Sequence, residues 1–293
     1  MSDHVKGVLL TAAGVLAIVP DSILIRLIDA PHLTIVFWRA ALTTLTLFIG
    51  LGFYYRGALI PRLRSMGLTG LAYGLLSSAG ISCFVLAVQF TTIASATMIV
   101  ATTPVFAALI SRIFLSERLS PRTMITIAAC LVGVGIITGG GHLGGGGLLG
   151  EFFALGTALA LASSLTVARA ARHMSMIPAA ALGYLFASLI TLPFAAPSQM
   201  QAADFAYAAL LGCLFIPFGV SMLTLGPRYI SSAEVSLLLL LEGTLAPLLA
   251  WYVLDEVPGA RTFVGGAIII AAIVISNLVA LRKSRPAPQT AGS

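Results

Sequence analysis

The stretch Pro104–Thr138, PVFAALISRIFLSERLSPRTMITIAACLVGVGIIT, returns later in the chain as Gly243–Asn277, GTLAPLLAWYVLDEVPGARTFVGGAIIIAAIVISN. A shift of 139 residues lays Ala107 on Ala246, Leu109 on Leu248, Leu115 on Leu254 and Glu117 on Glu256. It also lays Arg122 on Arg261, Thr123 on Thr262, Ala128 on Ala267 and Ile136 on Ile275. Eight identities in 35 gapless positions is modest for apolar residues. The shared hinge is the better evidence: a long apolar run, an acid, Arg-Thr, then a second apolar run. A duplication of this kind in a membrane protein is the habit of transporters.

The surroundings of the repeat require lipid as the solvent. The 293 residues are 59% hydrophobic and 9% charged, against roughly 25% charged in a soluble domain. A water-facing surface cannot be built from that composition, and a mean hydropathy of +1.05 agrees. Cys83, Cys130 and Cys213 sit in apolar runs without CxxC or metal spacing, so packed thiols are expected and no metal. The net charge of +6 is scattered over short loops and offers no contiguous basic face for nucleic acid. The opening MSDHVK lacks the strongly basic leader of a signal peptide, so the first apolar run is expected to stay as a helix.

Apolar runs of about 17–23 residues suffice to cross a ~30 Å core at 1.5 Å per residue. They predict helices near 5–27, 33–54, 67–88, 94–115, 123–139, 147–168, 178–196, 203–223, 233–254 and 262–281. Pro31 and Pro121 break helices and Pro178 opens one. With the N-terminus in the cytoplasm, thirteen Lys and Arg residues fall on that side, and only Arg26 and Arg261 fall outside. Both termini are therefore expected inside. Five helices per half is an odd number, so the halves enter from opposite sides. The expected architecture is an all-α membrane protein: ten transmembrane helices as an inverted 5+5 repeat around a central cavity. Residues 1–139 form the first repeat, 140–147 a Gly-rich external linker, 148–282 the second repeat and 283–293 a cytoplasmic tail. The run GGGHLGGGG at Gly139–Gly147 lacks the Lys-Ser/Thr of a phosphate loop and reads as a flexible linker. No nucleotide motif is present, so no ATP-hydrolysing cofactor site is expected.

The TPxFxALxxxxFLxERL stretch at Thr103–Leu119 and its echo LLExxxAPLLAWYVLDE at Leu240–Glu256 resemble the drug/metabolite transporter superfamily. Within it, the chain looks most like EamA-type exporters of the bacterial aromatic amino-acid kind, over nearly its whole length. The resemblance implies helices 1–4 and 6–9 around a central cavity, helices 5 and 10 at the periphery, and alternating access for the export of small metabolites. It implies the bacterial inner membrane as location. One departure stands out: the family's Glu-Pro pair is Glu242-Gly243 here, with Pro247 the nearest proline.

Ionisable groups inside a membrane are costly and default to functional candidates. Asp21 lies six residues before the end of the first helix and Arg39 six after the start of the second, so both sit at roughly ~9 Å of depth and can pair. Two readings are open: an ion pair that holds helix register, or an Arg39 that forks onto a substrate carboxylate while Asp21 releases it. Glu242 is central in the ninth helix, where desolvation favours the neutral acid. It serves either proton coupling, or a substrate amine, or a hydrogen bond across a kink at Gly243. On the third helix Gly70, Gly74, Ser78 and Ser82 make a packing row, and Tyr73, Ser77, Gly80 and Phe84 a row suited to a cavity wall or to plain packing. Trp38 and Tyr184 complete the candidate substrate site, though Trp38 also fits an interfacial aromatic belt. Prolines 20, 104, 193, 217 and 247 interrupt helices and free carbonyls that need other partners.

The leading function is thus secondary export of small amphipathic metabolites, amino acids including aromatic ones among them. Export of drugs or lipophilic cations is the alternative within the class. A channel needs a polar ring that these few asymmetric polar residues do not supply. An intramembrane enzyme is disfavoured because His4, His32, His142 and His173 all fall in loops or termini. Small-residue rows permit a dimer without demanding one.

Overall fold

A backbone in hydrocarbon must satisfy every N–H and C=O within itself, which leaves long apolar sequences little choice but the helix. The fold is a computed structural model, described over residues 3–115, 121–138, 147–171, 176–225, 229 and 232–284. Its α-helices are α1 Asp3–Ile18, α2 Pro20–Leu27, α3 His32–Tyr55, α4 Leu59–Ser65, α5 Gly67–Phe90, α6 Ile93–Val100 and α7 Thr103–Leu115. They continue as α8 Pro121–Thr138, α9 Leu148–Ala170, α10 Ile177–Thr191, α11 Ala202–Ala209, α12 Ile216–Leu225, α13 Ser232–Leu254 and α14 Ala260–Ser284.

Seven helical runs are long and apolar enough to cross a membrane: Asp3–Leu27, His32–Tyr55, Gly67–Phe90, Ile93–Phe114, Leu148–Ala168, Ile177–Phe194 and Ala202–Leu223. Three shorter apolar helices, Thr123–Ile137, Leu241–Leu254 and Ala260–Ser276, fall where the remaining expected segments lie. Glu117, residues 140–146 of the expected linker and residues 285–293 of the tail lie outside the described residues.

Three of the expected spans are interrupted, at or just before Pro20, Pro104 and Pro217, where the sequence reading placed interruptions. Pro20 opens α2 directly after α1, since its ring cannot donate to a carbonyl four residues back. The fourth expected span parts at Ala101-Thr102 into α6 and α7, and the Thr103 hydroxyl donates to the Val100 carbonyl at 2.6 Å. Val100 is the residue whose carbonyl Pro104 cannot serve, so the threonine supplies what the proline lacks. The eighth span carries a π-turn, Leu210–Phe215, between α11 and α12. Pro247, by contrast, stays inside α13 without ending it. The short helix α4, rich in arginine and containing Pro61, was not foreseen.

Packing joins the two parts of the chain throughout. α5 lies against α9 and α10, α3 against α10, α1 against α12 and α13, α7 and α6 against α9, α6 against α13, and α8 against α14. Close contact is set by glycines on the last of these pairs: a Cβ at Gly265 would stand 2.5 Å from the Gly133 carbonyl oxygen, and one at Gly133 would stand 2.8 Å from that of Gly265. Backbone therefore touches backbone there, the geometry small residues permit in lipid. Buried hydroxyls mostly turn onto their own helix, as Thr11, Thr43, Thr44, Thr157 and Thr166 do toward the carbonyl four residues back. The bundle thus buries polar side chains without needing water.

Candidate functional site

α2 and α3 form a helical hairpin around the Ile28–Pro31 turn, and the equal depth of Asp21 and Arg39 brings them face to face. Arg39 donates from Nε to Asp21 Oδ1 at 2.9 Å and from Nη2 to Oδ2 at 2.5 Å. Both side chains are almost wholly enclosed, 5% and 4% exposed. The fork uses two of the guanidinium's three nitrogens. Nη1 is buried and has no hydrogen-bond acceptor among the described residues, so Arg39 holds a donor in reserve.

Around this pair stand Tyr184 of α10 and Glu242 of α13, both close enough for their charges and dipoles to act on Arg39 and Asp21. Tyr73 of α5 acts on Tyr184 and lies against Ser77 one turn on. Glu242 is partly exposed and makes no ion pair or hydrogen bond among the described residues. Six of the eight sequence-chosen residues, Asp21, Arg39, Tyr73, Ser77, Tyr184 and Glu242, therefore gather in one place. They come from α2, α3 and α5 on one side and α10 and α13 on the other. The arrangement combines a cation with a spare donor, an acid without a partner and two phenols, which is the equipment to hold a solute bearing both charges and an apolar ring.

Two chosen residues sit elsewhere. Trp38 donates from Nε1 to the Pro197 carbonyl at 3.2 Å and meets Phe205 edge-on with ring centres 5.0 Å apart. Phe84 packs on the apolar core. The expected wall row on α5 is also more closely packed than a cavity wall: a Cβ on Gly80 would stand 3.3 Å from Leu161 of α9, and one on Gly183 would strike that of Ser77 at 2.8 Å. Two cavities, of about 280 Å³ at Val19, Leu245 and Leu249 and about 160 Å³ between α7, α8 and α14, do not include the Arg39 cluster.

Sequence reading missed one contributor. The π-turn brings Gly212 so near α3 that a Cβ there would stand 2.5 Å from Leu42 Cβ, 3.0 Å from the Thr43 nitrogen and 3.2 Å from the Arg39 carbonyl oxygen. A lone glycine in an apolar run carries no signal of such contact, and π-turns, which occur preferentially at functional sites, leave no pattern in sequence.

Sixteen chains of solved structures are similar to this one. One of them, a crystal structure, is 17% identical, covers 96% of this chain and 100% of its own, and superimposes with a TM-score of 0.66. That likeness concerns the fold. No curated protein matches the chain. The sequence profile of the EamA-like transporter family matches twice, over residues 5–139 and again over 148–278. Matched in both repeats and over most of its length, the chain belongs to the EamA-like transporter family, a family of membrane transporters of small molecules.

Proposed function

We propose that this protein is a secondary exporter of small amphipathic metabolites, amino acids including aromatic ones, in a bacterial inner membrane. The observation that carries the reading is the buried Arg39, whose Nη1 has no acceptor among the described residues, set beside Glu242, which makes no ion pair or hydrogen bond among them. A carboxylate entering the cluster takes the spare donor and competes with Asp21 for the rest of the fork. An amine is drawn to Glu242, and Tyr73 and Tyr184 offer ring faces and hydroxyls. Trp38 and Phe84 flank the path rather than the charged centre. The cluster draws on both matched repeats, so rocking one repeat against the other exposes it to each side in turn.

The topology we propose is ten crossings as an inverted repeat, with both ends of the chain in the cytoplasm. The ten apolar helical runs and the distribution of Lys and Arg support it. So does packing: exchange of the first five runs with the last five turns the α5–α9 contact into α12–α1, α7–α9 into α13–α1, and α5–α10 into the contact between the π-turn and α3. The chain is proposed to work without a cofactor, and as a monomer, with a dimer through its small-residue rows as the alternative.

The test is counterflow of labelled phenylalanine in proteoliposomes, with unlabelled amino acids and a lipophilic cation as competitors. Saturable counterflow inhibited by amino acids supports the reading. Its absence from folded protein defeats the amino-acid assignment. Export of lipophilic cations is the second reading, favoured by Glu242 having no ion pair or hydrogen bond among the described residues. Competition by the cation alone selects it, and conductance without saturable exchange selects a channel.

A further inference from the structure

The end of the bundle remote from the N-terminus is tied across the two matched repeats by a set of polar contacts outside the Asp21–Arg39 cluster. Arg26 closes α2. Its Nη2 stands 3.4 Å from Glu256 Oε2, in the Asp255–Gly259 connection before α14. The same guanidinium donates to the Thr91 and Gln89 carbonyls at the end of α5. Gln89 returns a bond from Nε2 to the Ile25 carbonyl at 2.8 Å. The second oxygen of Glu256 accepts from the Ile93 backbone N–H at 2.6 Å, at the first residue of α6. One carboxylate thus grips both the end of α2 and the start of α6. Three more contacts run across the same end: Ser95 with Thr262 at 3.0 Å, the Asp29 N–H to Asp204 at 3.2 Å, and the Ala196 N–H to Thr34 at 3.0 Å.

The position matters more than the number of bonds. α2 carries Asp21 five residues before Arg26, and α2 is separated from α1 by the break at Pro20. α6 is likewise separated from α7 by the break at Ala101-Thr102. Both elements held by Glu256 are short pieces bounded by a break on their inner side. Arg26 also keeps its buried Nε without an acceptor among the described residues, so its present set of partners leaves one donor unmet. The pair is 26% and 19% exposed, wet enough to part without stranding a charge in hydrocarbon.

We propose that Arg26 and Glu256 form the latch of the remote, external gate. Closed, the latch holds α2 and α6 against the second repeat and shuts the Asp21–Arg39 cluster from that side. Opening it lets α2 swing with Asp21. The proposal rests on the alternating-access reading, and its test separates the two. A single cysteine at Ser77, in a protein cleared of Cys83, Cys130 and Cys213, reports access to the cluster. Labelling with a membrane-impermeant maleimide is followed in right-side-out and inverted vesicles, and phenylalanine counterflow is measured separately on the same gate variants with Ser77 intact.

Glu256→Ala removes the ion pair and the bond to Ile93, and is expected to raise labelling from outside about tenfold or more, with no rise from inside. Glu256→Gln keeps an acceptor for Ile93 and raises it less. Arg26→Glu with Glu256→Arg restores the ion pair but not the bonds to Ile93, Thr91 and Gln89, and is expected to bring the rate only part of the way back from that of Glu256→Ala. Labelling unchanged in Glu256→Ala and Arg26→Gln, in protein that keeps its melting temperature, overturns the latch even where counterflow persists. Faster external labelling without counterflow of any amino acid supports the latch and removes the substrate reading instead. A rise of equal size from both sides means general loosening, and overturns the latch as well.

Discussion

Exchange of the Asp21–Arg39 pair for apolar residues of similar size separates its two possible roles. The pair is buried on both sides and doubly hydrogen-bonded. Removing one member, as in Arg39→Ala, strands Asp21 in a site with no other cation in hydrogen-bond contact, and is expected to cost ~3–5 kcal/mol. Removing both, as in Asp21→Val with Arg39→Met, leaves no stranded charge. Replacements of this kind are neutral or stabilise by ~1–4 kcal/mol, because the desolvation of two ions is no longer required. The single variant should therefore melt well below the parent in detergent, and the double variant at or above it. Transport discriminates. If Arg39 serves the solute through Nη1, the double variant recovers its melting temperature and still fails to exchange phenylalanine. A double variant that regains both stability and counterflow refutes the substrate role and leaves the pair as a pin between α2 and α3.

Other substitutions follow from the same geometry. Arg39→Lys offers a point donor in place of a fork and should lose more counterflow than Glu242→Gln; the reverse ranking, measured in matched proteoliposomes, selects lipophilic cations over amino acids. Gly212→Ala forces a Cβ to within 2.5 Å of Leu42 Cβ and should cost ~1–3 kcal/mol while raising KM for the solute, since α3 must shift at the turn carrying Arg39. Gly265→Ala meets the Gly133 carbonyl at 2.5 Å and should lower the melting temperature without altering KM, because α8 and α14 stand apart from the cluster. Gly135→Ala on α8, with nothing within 4 Å, is the control and should leave both unchanged.

How far the sequence could be read depended on how far each signal travels along the chain. Apolar runs and prolines act locally, so the seven membrane-length runs and the three shorter apolar helices were legible, as was the need to answer the carbonyl facing Pro104. The Asp21–Arg39 pair was legible for a similar reason: one tight turn joins its helices, and counting residues from that turn gives equal depths. Features fixed by tertiary contact were not. The π-turn at Leu210–Phe215, which packs on α3, leaves no pattern in the residues, and α4 is too short and too charged to register as an apolar run. Trp38 had two fair readings, and its bond to Pro197, 159 residues away, could not be deduced from either.

The latch shows the same limit from its other side. Arg26 and Glu256 were each legible as charges expected on the external face, where cations are scarce, and Glu256 as half of a repeated hinge. Their pairing spans 230 residues and required the bundle to be assembled. Yet the repeat explains why the acid is available there. Duplication placed the same hinge acid at Glu117 and Glu256, and inversion, on the proposed topology, delivered them to opposite faces. On the cytoplasmic face the hinge keeps Arg112, Arg118 and Arg122 as neighbours in sequence; on the external face only Arg261 remains beside it. A carboxylate short of local cations is free to recruit one from the other repeat, and Arg26 is the only other cation that orientation leaves outside. On the proposed topology, the charge asymmetry that orients the chain in the membrane also selects Arg26 as the partner of Glu256 in the proposed latch.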